Sequence, residues 1–129
     1  MVVSNKKNDC PFCEVSASEI VLKNGLCFAR WDKYPVSDGH VLIITFRHFS
    51  NYFDATEDEK NAIWSLVDDV KHIIRQENSP DGYNIGINIG RAAGQTIPHL
   101  HVHVIPRFEG DMEDPRGGVR GVISEKQKY

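Results

Sequence analysis

The chain has 129 residues and a mass of 14.6 kDa, which is the size of one ordinary domain. Its composition, 40% hydrophobic and 26% charged, is that of a globular protein and excludes a disordered or membrane-embedded chain. The formal net charge is −3, whereas proteins that bind the phosphate backbone of nucleic acid carry a strongly basic face. The sequence therefore predicts a single globular domain with no affinity for nucleic acid or membranes.

Cysteine content and the first residues indicate the compartment. Cys10, Cys13 and Cys27 are an odd number of cysteines, and residues 1–9 contain no apolar signal region. The apolar run at residues 41–44 is far too short to span a bilayer. These features favour a reducing compartment over a disulfide framework, so we expect a cytoplasmic protein.

The first strands are predicted around a turn. Residues 19–23 and 26–31 are apolar runs that flank Asn24-Gly25. Asn-Gly between two such runs is the strongest short-range signal of a β-hairpin, because both turn residues tolerate positive φ. A third strand is predicted at about residues 40–46, after a segment rich in turn-forming residues.

One long helix follows these strands. Thr56 and Glu59 form a capping-box signature, and apolar residues then recur at helical spacing: Ile63, Leu66, Val67, Val70, Ile73 and Ile74. Two further strands are predicted at residues 83–89 and 97–105. The order β-β-β-α-β-β with short connections predicts an α+β domain whose sheet is mainly antiparallel.

Three histidines alternate with aliphatic residues in the last predicted strand. On a strand, His99, His101 and His103 share one face at intervals of about 6.7 Å, while the aliphatic side chains between them point into the core. Three titratable rings on one face bring no packing benefit, so the pattern indicates a functional site. The Gly-rich loop at residues 90–94 precedes them, and its backbone N–H groups can bind an anion.

The segment AGQTIPHLHVHVIPR, residues 93–107, resembles the signature of the histidine-triad family. GHVLII, residues 39–44, followed by Arg47-His48, resembles the family's second hallmark segment. The resemblance implies the family's fold: an antiparallel five-stranded sheet with one long helix, here with a short N-terminal zinc knuckle. It divides the chain into a flexible leader (residues 1–9), the domain (10–110) and a C-terminal tail (111–129), which either folds over the substrate or is a flexible, solvated tail.

The same resemblance implies a mechanism. His101, the middle histidine, corresponds to the nucleophile that attacks the α-phosphate of a nucleotide, and His103 to a phosphate contact. Neutral imidazole is a good nucleophile at pH 7 when its other nitrogen is held as an N–H donor, and a backbone carbonyl on the histidine strand is the expected partner. The residues matched to substrate contacts are Asp32 (ribose hydroxyls), His40 (near the active site), and Asn88, Gln95 and Thr96 (near the α-phosphate and the leaving group).

A metal site is predicted apart from this chemistry. Cys10 and Cys13 have zinc-knuckle spacing, although the spacing alone also fits redox use or two unliganded cysteines. The resemblance implies that His48 and His99 complete a structural zinc site. One departure from the family lies beside it: Thr45-Phe46-Arg47 precedes His48, where a proline and a basic residue are common, which leaves the local bend open.

Several functions remain open within this reading. The segment at residues 93–107 is most similar to the dinucleoside-polyphosphate hydrolase branch of the family, and the main alternative is the nucleoside phosphoramidate hydrolase branch. A nucleotide-binding adaptor with slow turnover is an alternative of a different class. A metallohydrolase is less favoured, because the sequence lacks the Asp-His that must follow His-x-His in the metallo-β-lactamase pattern. The resemblance also implies a homodimer.

Overall fold

The computed structural model describes residues 9–129, so the predicted leader lies almost wholly outside the described residues. The chain forms five strands and one α-helix in the order β1 (Ile20–Lys23), β2 (Cys27–Trp31), β3 (Val41–Thr45), α1 (Glu57–Asn78), β4 (Gly82–Gly86) and β5 (His101–Arg107). The strands form one antiparallel sheet in the order β1-β2-β3-β5-β4. The predicted α+β class, with five antiparallel strands and one long helix, is confirmed.

Local side-chain bonds explain where these elements begin. Asn24 Oδ1 accepts from the N–H groups of Leu26 and Cys27, both at 3.0 Å, which fixes the turn between β1 and β2. At the start of α1, Thr56 Oγ1 accepts from Glu59 N–H at 3.0 Å, and Glu59 Oε1 accepts from Thr56 N–H at 2.9 Å. The hairpin and the capping box predicted from the sequence are therefore both present.

The sheet has two differently covered faces. One face packs against the apolar side of α1 in the main core, which joins helix residues such as Leu66 and Val70 to Val102 of β5. The opposite face carries a smaller cluster in which the Cys10-x-x-Cys13 knuckle and Phe12 cover β2 and β3. Side chains of β5 alternate between the faces, so the residues between its valines face away from the helix.

The histidine strand is shorter than the sequence predicted. It begins at His101 rather than at residue 97, so His99 lies before it, and only His101 and His103 share the strand face. Pro98 has no N–H to give to a ladder, and the N–H of His99 instead donates to the nearby Ile97 carbonyl at 2.8 Å. The strand predicted at residues 83–89 likewise ends earlier, at Gly86. The expectation of three imidazoles on one strand was therefore wrong.

The C-terminal tail is placed against the sheet edge. It contains two 3-10 helices, Gly118–Val122 and Ser124–Lys126. The first contributes Val119 and Val122 to a cavity of about 560 Å³ whose other walls include His40 and His103. The tail therefore lies beside the histidines. Within residues 9–129, no helix combines the length and apolar character that crossing a membrane requires.

Candidate active site and metal centre

His101 is oriented by a backbone carbonyl. Its Nδ1 lies 2.8 Å from the carbonyl oxygen of His99. A carbonyl oxygen only accepts, so Nδ1 carries the proton and Nε2 keeps its lone pair. The ring packs edge-on against Phe12, with centroids 4.9 Å apart, and lines a cavity of about 500 Å³. The imidazole is thereby held in the tautomer that a nitrogen nucleophile needs.

His103 is oriented by a second histidine. His40 Nδ1 accepts from Val36 N–H at 3.1 Å, so the His40 proton is on Nε2, which lies 3.0 Å from His103 Nδ1. His103 Nδ1 must then accept, which leaves His103 Nε2–H as a donor. His103 lines the same cavity as His101, and their ring centroids are 5.2 Å apart. The fixed pair of tautomers places a nucleophilic nitrogen beside a hydrogen-bond donor.

Burial keeps the imidazoles of His101, His103 and His40 neutral. Burial, together with the neighbouring His101 and His40, lowers the pKa of His103 to about 4. Burial also lowers the pKa of His101, although the bond to the His99 carbonyl and the charge of Asp32 oppose this effect. The pKa of His40 is lowered by burial against the attraction of Asp32. All three rings are consequently uncharged at neutral pH, as the tautomer assignments require.

Most of the predicted substrate contacts line this cavity, and some of their polar atoms already have hydrogen-bond partners within the protein. Asp32, Asn88 and Thr96 line it. One Asp32 carboxylate oxygen accepts from Tyr34 N–H at 2.9 Å, and the other lies 3.4 Å from His40 Nε2. His40 itself is buried behind His103 and lines the adjoining cavity. The structure therefore brings the predicted set together around His101.

Gln95 also lines the cavity, but its amide is occupied by the loop. Gln95 Oε1 accepts from Gly90 N–H at 2.9 Å, and Nε2 donates to the carbonyl oxygens of Ser50 and Ile97 at 3.0 and 3.2 Å. These three bonds tie the Gly-rich loop to the chain on either side. In this conformation Gln95 supports the loop rather than offering its amide to the cavity.

The four predicted metal ligands converge behind the active site. Cys10 Sγ, Cys13 Sγ, His48 Nδ1 and His99 Nδ1 all lie within 4.8 Å of one another. Cys13 Sγ is 3.2 Å from His48 Nδ1 and 3.5 Å from His99 Nδ1, and the two Nδ1 atoms are 3.2 Å apart. Ligand atoms of a tetrahedral zinc site with bonds of about 2.1–2.3 Å lie roughly 3.4–3.8 Å apart. The spacing and the soft sulfur and nitrogen donors therefore fit a four-coordinate zinc ion.

Hydrogen bonds to neighbouring groups orient the two histidine ligands. His99 Nε2 donates to the Thr45 carbonyl at 2.7 Å, so its Nδ1 lone pair faces the cysteines. Burial, with smaller contributions from nearby histidines, lowers the pKa of His99 to about 4, which keeps that lone pair available. The bend before His48 is closed by Thr45 Oγ1, which donates to the Arg47 carbonyl at 2.9 Å. A threonine hydroxyl thus fixes the bend at the position where the segment departs from the family pattern.

Two residues of the cavity were not singled out from the sequence. Phe12 lies between the two knuckle cysteines and packs against His101, which knuckle spacing alone does not reveal. Arg30 lines the cavity while only 5% exposed. The available signal for Arg30 was a charged residue inside the apolar run at residues 26–31.

The sequence model of the HIT domain matches residues 14–110, which is most of the chain. The chain belongs to the HIT domain family. Two curated relatives carry enzyme names: an AP-4-A phosphorylase of Mycobacterium tuberculosis and a bis(5'-adenosyl)-triphosphatase of Dictyostelium discoideum, each 33% identical. These alignments cover 71% and 78% of this chain but 48% and 67% of the relatives, so the chain spans about half the length of the first relative.

Solved structures carry the same fold. A hypothetical histidine triad nucleotide-binding protein of Sulfolobus tokodaii is 43% identical, with a TM-score of 0.72 over 81% of this chain and 73% of that one. A Zn-bound histidine triad family protein of Mycobacterium smegmatis is 28% identical, with a TM-score of 0.72 over 82% and 80%. The HIT fold is therefore shown, and the family's enzyme-named members support a nucleotide-processing enzyme.

Proposed function

We propose that this protein is a nucleotide hydrolase or nucleotidyltransferase that acts on the α-phosphate of nucleotide conjugates, with dinucleoside polyphosphates favoured. The observation that carries the proposal is the bond of His101 Nδ1–H to the His99 carbonyl, which leaves Nε2 unprotonated in the cavity. The enzyme-named relatives act as support for the substrate class. We also propose that the protein is cytoplasmic and forms a homodimer, and that its domain comprises residues 10–110.

The chemistry takes two steps. The lone pair of His101 Nε2 attacks the α-phosphorus, the bond from phosphorus to the bridging oxygen breaks, and the leaving group departs with that electron pair. A nucleotidyl-histidine remains. Water then attacks phosphorus and loses a proton to the solvent, the phosphorus–nitrogen bond breaks, and the electron pair returns to Nε2 while the nucleoside monophosphate is released.

The surrounding residues position the substrate. We assign His103 Nε2–H to the non-bridging oxygens, where a donor aimed at developing charge stabilises the transition state. His40 acts through His103 by fixing its tautomer. Asp32 is assigned to the ribose hydroxyls, Asn88 and Thr96 to the α-phosphate and the leaving group, and Gln95 to the loop whose N–H groups border them.

Zinc is assigned a structural role. Cys10, Cys13, His48 and His99 would hold it with four protein ligands and no position open to water. The ion would supply no acid–base or nucleophilic chemistry at the phosphate and would tie the knuckle to the segment before β5. His101 and His103 remain outside this ligand set.

Phosphorus stereochemistry tests the proposal. Each displacement inverts at phosphorus, so an α-phosphorothioate substrate of known chirality, hydrolysed in oxygen-labelled water so that the product phosphorus stays chiral, gives net retention, and a nucleotidylated protein is trapped at His101. Direct attack by water gives net inversion, with His101 as a general base that contributes only about 10²–10⁴ in rate. Net inversion, or near wild-type turnover by His101→Asn, contradicts the covalent route.

A substrate screen separates the alternatives. Diadenosine polyphosphates, adenosine phosphoramidate and nucleotidyl sugars are each incubated with the protein, and the products are identified. Faster turnover of the phosphoramidate reassigns the protein to that branch. Tight nucleotide binding with negligible turnover of every conjugate identifies an adaptor.

A further inference from the structure

Arg30 is a charged residue buried in an otherwise apolar strand. It lies in β2, where Phe28 and Ala29 are also buried, and it is only 5% exposed. In the sheet it pairs with Leu42 of β3, which in turn pairs with His103 of β5. Paired residues of neighbouring strands point to the same face, so Arg30, Leu42 and His103 form a row across the face opposite the helix.

The Arg30 guanidinium lacks a counter-charge. Nε donates to the Trp31 carbonyl at 3.4 Å, and the guanidinium carbon lies 5.8 Å from the centre of the Phe12 ring. No Asp or Glu within residues 9–129 forms an ion pair with it, and residues 1–8 contain neither residue type. A buried guanidinium is normally paired, so its terminal N–H groups are available to something that enters the cavity.

The residues that share the cavity with Arg30 indicate which part of a nucleotide it would meet. The Phe12 ring packs edge-on against His101, and the Arg30 guanidinium carbon lies 5.8 Å from the centre of the same ring. Asp32, the proposed ribose contact, follows the last residue of β2, two positions after Arg30, and lines the same cavity. Because these residues and Leu42 line one cavity, a nucleotide with its phosphorus at His101 and its ribose at Asp32 would place its base over Leu42, beside Arg30.

We propose that Arg30 reads the edge of the nucleobase and makes the site selective for guanine over adenine. This inference rests on the proposed function, because it assumes a nucleotide whose phosphate lies at His101. Arginine has five N–H donors and no acceptor. Guanine presents two adjacent acceptors, O6 and N7, which a guanidinium binds with two parallel hydrogen bonds, whereas adenine presents a donor, its N6 amino group, in place of O6.

Other contacts of the cavity are compatible with this reading. The Phe12 ring and Leu42 supply apolar surface against which a purine ring packs. Lys33 also lines the cavity, but it is largely exposed and pairs with Glu19 at 3.4 Å. Of Arg30 and Lys33, the two cationic side chains that line this cavity, Arg30 is the buried one, and its terminal N–H groups have no carboxylate partner.

The test compares the binding of product nucleotides, so it does not require turnover. Kd values for GMP, IMP and AMP are measured by calorimetry with the wild-type chain, Arg30→Met, Arg30→Lys and Lys33→Met. We expect GMP and IMP, which share O6 and N7, to bind at least about tenfold more tightly than AMP. In Arg30→Met this preference falls to within about twofold, and Arg30→Lys retains only part of it because an ammonium lacks the planar fork. Lys33→Met is the matched control and retains the preference.

Arg30→Met keeps an unbranched apolar side chain in place of the arginine stem, and thermal unfolding verifies that each variant is folded. Equal binding of GMP and AMP to the wild-type chain overturns the inference, as does a guanine preference that survives Arg30→Met. Equal weakening of all three nucleotides in Arg30→Met also overturns it, because that result indicates non-selective stacking.

Turnover separates this inference from the proposed function. If the protein hydrolyses diadenosine and diguanosine tetraphosphate with equal kcat/KM, the proposed hydrolase function is supported and the proposed selectivity of Arg30 is wrong. If the protein binds GMP selectively but hydrolyses no conjugate, the role of Arg30 in base selectivity is supported and the proposed enzymatic function is wrong. Failure to bind any of the three nucleotides overturns both.

Discussion

Cys13→Ser is expected to remove the zinc-dependent part of the protein's stability while leaving the active site nearly intact. Cys13 Sγ lies 3.2 and 3.5 Å from the Nδ1 atoms of the two histidines in the cluster, so its loss leaves three ligands of the four. A serine hydroxyl is a much poorer ligand for zinc than a thiolate. A zinc ion held by this cluster would tie together three chain segments that are distant in sequence, so its affinity would contribute directly to folding.

The magnitude follows from linkage. Free zinc at about 1,000 times its Kd contributes about 4 kcal/mol to the free energy of unfolding. For a domain of this length, each kcal/mol shifts Tm by about 3–5 °C, so zinc raises the wild-type Tm by about 12–20 °C. In the proposed mechanism turnover depends on the His99 carbonyl, and we expect this group to stay in place because His99 Nε2 donates to the Thr45 carbonyl and Leu100 N–H donates to the Phe49 carbonyl. We therefore expect turnover per folded molecule to change much less than Tm.

The assay is differential scanning calorimetry of zinc-loaded and chelator-treated protein, with turnover measured well below both transitions. Cys27→Ala is the matched control, because Cys27 lies in the main core on the helix side of the sheet and outside the ligand cluster. The control should lose some Tm but keep the full zinc-dependent shift. A zinc-dependent shift in Cys13→Ser as large as in the wild-type chain, or its absence from the wild-type chain, refutes the reasoning.

Two further predictions concern His103. His103→Ala should lower kcat by about 10²–10³ with little change in the Kd of a nucleoside monophosphate, because the lost donor acts mainly on charge that develops in the transition state; unchanged turnover removes His103 from the site. The pKa of His103 is about 4 in the folded chain and about 6.5 in the unfolded chain, so the unfolded chain binds the extra proton between these values. The free energy of unfolding should therefore fall as the pH decreases from about 6.5 to about 4, and urea unfolding at about pH 7 and pH 5 should show a smaller loss in His103→Gln than in the wild-type chain. An equal loss in both proteins contradicts this assignment.

Sequence patterns predicted the elements whose causes are local. The Asn24-Gly25 turn and the Thr56 cap depend on side chains that bond to backbone groups within three residues, so short-range spacing was sufficient. The boundaries of β5 depend on Pro98 and on the rotation of His99 toward cysteines about ninety residues away. Alternation of residue types carries no information about such a distant contact.

The residues of the site and the carbonyl partner of His101 were expected from the sequence, whereas the hydrogen bond between His40 and His103 was not. The resemblance placed Cys10, His48 and His101 in roles, but spacing along the chain does not state which histidine nitrogen is protonated. For His103 that assignment required the His40 imidazole seen in the fold, and for His101 the fold identified the expected carbonyl as that of His99. Arg30 was missed for the same reason, because a sequence shows a charge in a strand but not whether a carboxylate faces it.

His99 belongs to two centres through different parts of the same residue. Its side chain faces the cysteines, and its main-chain oxygen accepts a hydrogen bond from His101 Nδ1–H. Alanine scanning deletes the first contact and cannot remove the second, so such a scan would describe residue 99 as purely structural. Only a change of the backbone itself, such as an ester in place of the amide that follows His99, exposes the part of this residue that sets the tautomer of His101.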